Sequence, residues 1–237
     1  MKVLVIMPTY NEAGNIARAS SELFRFNPDV SLLIVDDGSP DGTGDLAEAL
    51  AAKDKRISVL HRKDKQGLGA AYIAGFNHAF GLGFDYVVEM DADGSHRAED
   101  LPKLLAICQD NDLVIGSRYV RGGKTQNWPL HRQWLSRGGN IYAKIMLGSR
   151  LNDMTAGFRV FRSSFLQKMD LASINARGYS FQIEMAYRTI QLGGRTAEVP
   201  ITFVEREIGE SKMSGNIVAE ALLLMTKFGF KRIFLRK

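Results

Sequence analysis

One cysteine, Cys108, is all the thiol that the 237 residues carry. A lone thiol closes no internal disulfide, so the fold needs no oxidising compartment. Set in an apolar helical stretch, Cys108 reads as an ordinary small buried side chain. No run of 18 apolar residues occurs, so no segment has the pattern of a membrane-spanning helix. Residues 1–7 are too short for the apolar region of a secretory signal and read as a first strand. The glycine-rich nucleotide cradles are missing too. No G-x-G-x-x-G follows the first strand, and Gly67-Leu68-Gly69 lacks a third glycine at the right spacing, which counts against a dinucleotide dehydrogenase. No G-x-x-x-x-G-K-[ST] occurs, which excludes a P-loop enzyme. Internal repeats and separating linkers are also absent, so one compact domain is expected.

What is present suits an ordered globular chain: 45% hydrophobic and 24% charged residues. The formal net charge is +5. A basic excess suits nucleic acid, an anionic membrane surface or a phosphorylated substrate. The basic residues cluster in loops and at the tail, with no aromatic-interleaved stripe, so nucleic acid is not expected as a partner.

Short apolar runs alternate with helical stretches. Residues 2–7, 31–35, 57–60, 86–90 and 113–116 read as strands, and 16–26, 43–52, 68–80 and 98–109 as helices between them. This alternation predicts a mostly parallel α/β sheet with helices on both faces. Further on, 134–147 and 181–192 read as helices, 197–204 as a strand and 120–132 as a long loop of the kind that often serves as a lid.

In parallel sheets ligands bind beyond the carboxyl ends of the strands. Three such ends are polar together: Pro8-Thr9-Tyr10-Asn11-Glu12, Asp36-Asp37-Gly38-Ser39 and Asp91-Ala92-Asp93. Each alone is better explained as a turn or a helix cap. On one shared edge they describe a nucleotide site: carboxylates for base or ribose, an aromatic to pack on the base, and two acids one residue apart that can hold a divalent metal. Such a metal neutralises a diphosphate leaving group.

These three motifs resemble the inverting family-2 glycosyltransferases of GT-A fold. Gly116-Ser117-Arg118-Tyr119, Leu135-Ser136-Arg137-Gly138-Gly139-Asn140, Asp153-Met154-Thr155-Ala156-Gly157-Phe158-Arg159, Gly178-Tyr179-Ser180-Phe181-Gln182-Ile183-Glu184 and Gly209-Glu210-Ser211-Lys212-Met213 narrow the resemblance to polyprenol (dolichol) phosphate mannose synthases. The resemblance implies that Pro8, Tyr10, Glu12, Val35 and Asp37 line the nucleoside pocket. Asp91, Ala92 and Asp93 face the diphosphate, and Asp91 and Asp93 hold Mg2+ or Mn2+. Ser95 stands where some relatives carry a glutamine ligand, a shorter and weaker choice. Arg118, Arg137, Arg206 and Lys212 match phosphate-handling cations, with Arg118 and Arg137 counted as catalytic and Arg206 and Lys212 on the donor side. Gly94 departs from the leucine of archaeal and eukaryotic members and favours a bacterial-type one.

The implied reaction transfers mannose from GDP-mannose to a polyprenyl phosphate lipid at the cytoplasmic face of a membrane. A phosphate monoester, with a second pKa of about 6, is already largely anionic near neutrality and attacks without a general base. Alternatives are the same chemistry with UDP-glucose, and a catalytically silent sugar-nucleotide-binding module, against which intact Asp91 and Asp93 argue. Residues 1–213 are expected to form the catalytic domain. Residues 214–237, rich in Leu, Phe, Lys and Arg, form an amphipathic tail of that same domain. The tail suits a peripheral membrane surface and core packing equally well. His96, alone in a polar loop, is expected to be neither ligand nor base.

Overall fold

The computed structural model describes residues 1–174, 178–206 and 215–234. Its first half follows the predicted alternation: β1 Val3–Thr9, α1 Ile16–Phe26, β2 Ser31–Asp36, α2 Thr43–Ala51, β3 Ile57–His61, α3 Leu68–Ala79 and β4 Tyr86–Glu89. Then come α4 Leu101–Leu105, β5 Leu113–Ser117, β6 Lys124–Gln126, α5 Leu130–Leu147, β7 Arg159–Arg162, α6 Ser163–Leu166, α7 Gly178–Gln191, β8 Thr196–Pro200, β9 Thr202–Val204 and α8 Gly215–Phe234.

Seven strands form the central sheet in the order β3-β2-β1-β4-β7-β5-β8. All run parallel except β7, which lies antiparallel between β4 and β5. The fold is therefore the mainly parallel α/β sheet that the alternation predicts. Strands such as Val3–Thr9 are apolar on successive residues because helices cover both faces. One face carries Leu4, Ile6, Val87 and Ile115 under α3, α5, α7 and α8. The other carries Val5, Met7, Val88 and Val114 under α1 and α4. The approach of α3 is close: at Gly75 an added Cβ would lie 2.6 Å from Cγ2 of Ile6.

Three predicted elements differ. The helix expected at 98–109 breaks into Ala98–Asp100, α4 and Cys108–Asp110. Pro102 fits only the first turn of a helix, and Asp100 before it accepts from Lys103 and from the Thr202 N–H. The strand expected at 197–204 divides: β8 ends at Pro200, and β9 crosses to a two-stranded sheet with β6. The loop expected at 120–132 contains β6, and α5 starts directly after Pro129. The sequence reading did not foresee β7 at all.

The tail helix α8 packs one side on the core, with Ala221 and Met225 buried and Phe228 stacked on Tyr187 at 4.9 Å. Leu223, Phe230, Ile233 and Phe234 of the same helix are exposed. No helix among the described residues is long and apolar enough to cross a membrane.

Candidate active site

Every parallel strand delivers its carboxyl end to one edge, and β7, running the other way, delivers its amino end there. On the β1–β2 side, Asp36 is an internal hub. It accepts from the Thr9 hydroxyl at 3.0 Å, from the Ser39 hydroxyl at 2.6 Å and from the Ser39 N–H at 3.1 Å. This fixes the turn and leaves Asp37 to face outward from β2. Asp37 pairs with Arg62 at 2.5 Å, and Arg62 also donates to Gln66. Burial lifts the Asp37 carboxyl above its ordinary value, with Arg62 pulling against it. Lys65 lies 3.9 Å from the Tyr10 ring centroid. Glu12 lies in the turn before α1, its N–H donating to Thr43 and its carboxylate accepting from Asn15 at 2.8 Å. Tyr10, Glu12, Asp37, Arg62 and Lys65 thus gather at one end of the edge. Pro8 is half-buried there, paired in the ladder with Val35. Val35 departs from its expected place on the pocket wall, because its side chain is wholly buried in the core against Gly75.

Asp91 and Asp93 follow β4. Asp91 Oδ1 accepts from the Tyr72 hydroxyl of α3 at 3.1 Å, and its backbone N–H donates to His96 Nδ1 at 3.0 Å. The His96 ring is buried between Phe158, stacked at 5.1 Å, and Phe203, edge-on at 5.6 Å. It holds the turn that displays the two acids. Asp93 is buried and pairs with Arg206 at 3.2 Å. Burial would raise its carboxyl, but hydrogen bonding from Ser95 and the Arg206 charge outweigh that and hold it low. Ala92 turns its side chain into the core. The Ser95 N–H donates to Asp93 at 3.0 Å, and its hydroxyl is buried beside the same carboxylate. Two carboxylates and a hydroxyl are hard oxygen donors of the kind that suits Mg2+ or Mn2+.

Arg118 follows β5 and is buried. Its Nε and Nη2 donate to the two oxygens of Asp153 at 2.7 and 2.6 Å, and Nη2 also reaches Thr155 at 2.7 Å. Rings of Tyr119, Trp128 and Phe203 stand 5.3–5.5 Å from the guanidinium. Two cavities meet at this arginine. One, of about 340 Å³, is basic and polar, lined by Arg118, Arg137, Lys144, Asn140 and Asn152. The other, of about 410 Å³, is apolar and runs between α5, α7 and α8 past Trp128, Tyr142, Ile183, Ala221 and Met225. Arg137 is exposed on α5, 5.8 Å from the Tyr119 ring.

The expected cations thus separate. Arg206 sits on Asp93, Arg118 and Arg137 share the basic cavity, and Lys212 lies outside the described residues. Arg62, Lys65, Tyr72, Asp153 and Arg159 were not singled out from sequence. A strand-end position marked Arg62 and a motif marked Asp153 and Arg159, but nothing local in the chain shows which partner each meets.

Residues 4–170 match the family profile described as Glycosyl transferase family 2. The chain is 53% identical to an undecaprenyl-phosphate mannosyltransferase of Micrococcus luteus, over 97% of this chain and 94% of that one. It is 48% identical to a polyprenol monophosphomannose synthase of Mycolicibacterium smegmatis, over 97% and 88%. Among solved structures it resembles the glucosyl-3-phosphoglycerate synthase of Mycobacterium tuberculosis in complex with Mn2+, UDP-glucose and phosphoglyceric acid. The TM-score is 0.72 at 18% identity, over 96% of this chain and 79% of that one. It also resembles a mannosyltransferase of Pyrobaculum calidifontis in complex with GDP-mannose and Mn2+, with a TM-score of 0.59 at 17% identity, over 96% and 72%. These two likenesses establish a shared fold.

The Asp153–Arg118 pair yields a stability test. Burial alone would raise the Asp153 carboxyl, but the charge and hydrogen bonds of Arg118 hold it below its ordinary value. A depressed carboxylate contributes stability above its unfolded pKa and loses it as pH falls through the folded one. Asp153→Asn leaves Arg118 as a buried charge without its counter-ion and should cost about 3–5 kcal/mol at neutral pH in urea denaturation. The gap to wild type should narrow as pH falls below the carboxylate range. A gap that stays constant with pH would show that the ion pair is not its source.

Proposed function

The chain belongs to glycosyl transferase family 2, and from that premise we propose that it transfers mannose from GDP-mannose to a polyprenyl monophosphate, with inversion at the anomeric carbon. The observation that carries this reading is the meeting of the two cavities at Arg118, one basic and one apolar. A phosphate bearing a long apolar chain has those two needs in that order. The names of the relatives at 53% and 48% identity point to the same acceptor class.

In this mechanism Tyr10, Glu12, Asp37 and Pro8 hold the nucleoside, with Arg62 and Lys65 shaping their side chains. Asp91, Asp93 and the Ser95 hydroxyl would hold the divalent ion, which when bound supplies charge neutralisation for the diphosphate. Tyr72 and His96 fix Asp91 from two sides, so its carboxylate is oriented before the donor arrives. Arg206, beside Asp93, adds positive charge on the leaving side. Lys212 is assigned to the same side. The basic cavity receives the acceptor phosphate, and the guanidinium fork of Arg137 suits its oxygens. An acceptor oxygen that is already anionic needs no base, so positioning and charge do the catalysis.

The exposed apolar residues of α5 and α8, namely Trp134, Ile141, Ile145, Leu223, Phe230 and Phe234, frame the side on which the apolar cavity lies. Interleaved with Lys144, Lys227 and Lys231, they suit peripheral docking on an anionic bilayer. On this reading the tail helix has both roles, core packing and membrane contact, and the enzyme works as a peripheral protein at a cytoplasmic membrane face.

The direct test is a donor screen: purified protein, a short polyprenyl phosphate, Mg2+ or Mn2+, and each nucleotide sugar in turn. Transfer from GDP-mannose is expected. Transfer from UDP-glucose alone would establish the alternative donor, and no transfer from any donor would leave a binding module. In the active combination, Asp93→Asn should abolish nearly all turnover while the protein stays folded. Wild-type turnover at saturating donor would remove Asp93 from the machinery. Arg137→Ala should lower kcat/KM for the acceptor more than tenfold, from the roughly 1.5–3 kcal/mol of a charge-assisted hydrogen bond, with nucleotide affinity intact. A loss of donor affinity instead would move Arg137 to the diphosphate. The pair Trp134→Glu and Leu223→Glu should weaken co-sedimentation with anionic vesicles. Unchanged binding would exclude this face as the docking surface.

A further inference from the structure

Arg159 opens β7 and is wholly buried, in the middle of the sheet. Its register partner is Glu89 on β4, also wholly buried. The guanidinium is spent on main chain. Nε donates to the Ala156 carbonyl at 2.7 Å, Nη1 to Gln182 at 2.7 Å and Nη2 to Met154 at 2.8 Å. These carbonyls belong to two segments, the stretch before β7 and the first turns of α7. Both segments line the cavities: Thr155 and Ile183 the apolar one, Asn152 the basic one.

The stretch 152–156 has no ladder or helix of its own. Glu198 of β8 accepts from the backbone N–H groups of Asn152 and Asp153, and Asn140 accepts from that of Met154. Arg159 satisfies the carbonyls on the other side. What the stretch then presents is Asp153 and Thr155, the two side chains that grip Arg118. Stability is a weak reason to bury such a cation, because apolar replacements of buried ion pairs are often neutral or stabilising.

We infer that Arg159 is a positioning residue for glycosyl transfer. It aims the Arg118 guanidinium at the junction of the two cavities by fixing the 152–156 stretch. The inference rests on the proposed role of the Arg118 cavity as the acceptor phosphate site. Arg159 touches neither substrate; it acts through two residues that hold a third.

A double-mutant cycle tests it, with GDP-mannose as donor and a short polyprenyl phosphate as acceptor. Arg159→Lys keeps the charge but cannot reach three carbonyls with one ammonium. It should lower kcat/KM for the acceptor at least tenfold and leave GDP-mannose affinity, by calorimetry, within about twofold. Arg118→Lys should give a comparable loss. If Arg159 acts through Arg118, the double variant should be no more than about threefold worse than the poorer single one. Losses that multiply would overturn the inference, as would an equal fall in donor affinity. Should Arg159→Lys fail to fold, Arg159→Gln, which keeps an amide donor for the carbonyls without the charge, replaces it in the same cycle, with the same two outcomes decisive. Wild-type protein that transfers nothing to polyprenyl phosphate would overturn the functional reading and this inference with it. Wild-type transfer with multiplying losses would overturn this inference alone.

Discussion

A guanidinium buried in the middle of a β-sheet has to be satisfied on every side, and around Arg159 that requirement organises much of the site. Desolvating a charged group costs several kcal/mol unless hydrogen bonds and a counter-charge replace the water. Three carbonyls supply the hydrogen bonds, and Glu89 lies beside the arginine in the ladder. Burial pushes the Glu89 carboxyl up to about 8, against the pull of Arg159, and burial brings Arg159 down to about 10. A single cation therefore ties β4, β7, the stretch before β7 and the start of α7 into one unit. Removing it would free carbonyls from two segments at once, so these segments cannot drift independently. The reversed strand β7 is the structural condition for this. Only an antiparallel strand at that place brings its first residue, and the loop before it, to the edge where the parallel strands end.

That edge is divided by charge. Asp37, Asp91 and Asp93 lie on the β1–β2–β4 side, and Arg118, Arg137 and Lys144 on the β5 and α5 side. The rings of His96, Phe158, Phe203 and Trp128 stand between the two halves, packed on one another. A low-dielectric wall between opposite charges strengthens the field across it. Asp37, Asp93 and Arg118 keep local counter-charges, Arg62, Arg206 and Asp153, so the most buried charges of both halves are compensated within the protein. In the proposed reaction this arrangement brings a metal-compensated diphosphate and a phosphate nucleophile to opposite sides of one sugar.

The first half of the fold was legible because parallel strands covered on both faces are written as uninterrupted apolar runs; residues 31–35 and 86–90 could hardly be anything else. The acids were legible for a related reason, since polar residues directly after such runs must lie at the carboxyl edge. Legibility failed where tertiary partners outweigh local pattern. Strand β7 reads Arg-Val-Phe-Arg, and a strand that opens and closes on arginine does not look like the centre of a sheet. Its first arginine is buried because three carbonyls accept from it, two from the loop just before it and one, Gln182, 23 residues on, and nothing in the local pattern shows that the loop turns back to meet it. At Val35 the neighbouring acids mislead: the next residue, Asp36, turns to the Thr9 and Ser39 hydroxyls, and the alternation of a strand sends the Val35 side chain to the opposite face, into the core. Asp153 was visible as part of a motif, but its partner Arg118 stands 35 residues earlier.

If the Arg118 cavity takes the acceptor, as proposed, the demands of the reaction account for the support around that arginine. A phosphate oxygen must reach the anomeric carbon in line with the leaving group, and small misplacements of the reacting groups are expensive. A lipid acceptor makes this harder, because its chain is held by apolar contacts that fix depth but not orientation. Direction must come from the charged end of the groove. There the protein has not used a flexible surface lysine. It uses an arginine clamped by a bidentate carboxylate, boxed by three aromatic rings, and supported through two further layers of hydrogen bonds. The clamp removes rotamer freedom before any ligand arrives, so the cost of ordering is met during folding and not at binding. Exposed Arg137, on the other wall of the same cavity, has no such clamp. In the proposed reaction the pair would divide the work: Arg118 would define where the phosphate sits, and Arg137 would close on it.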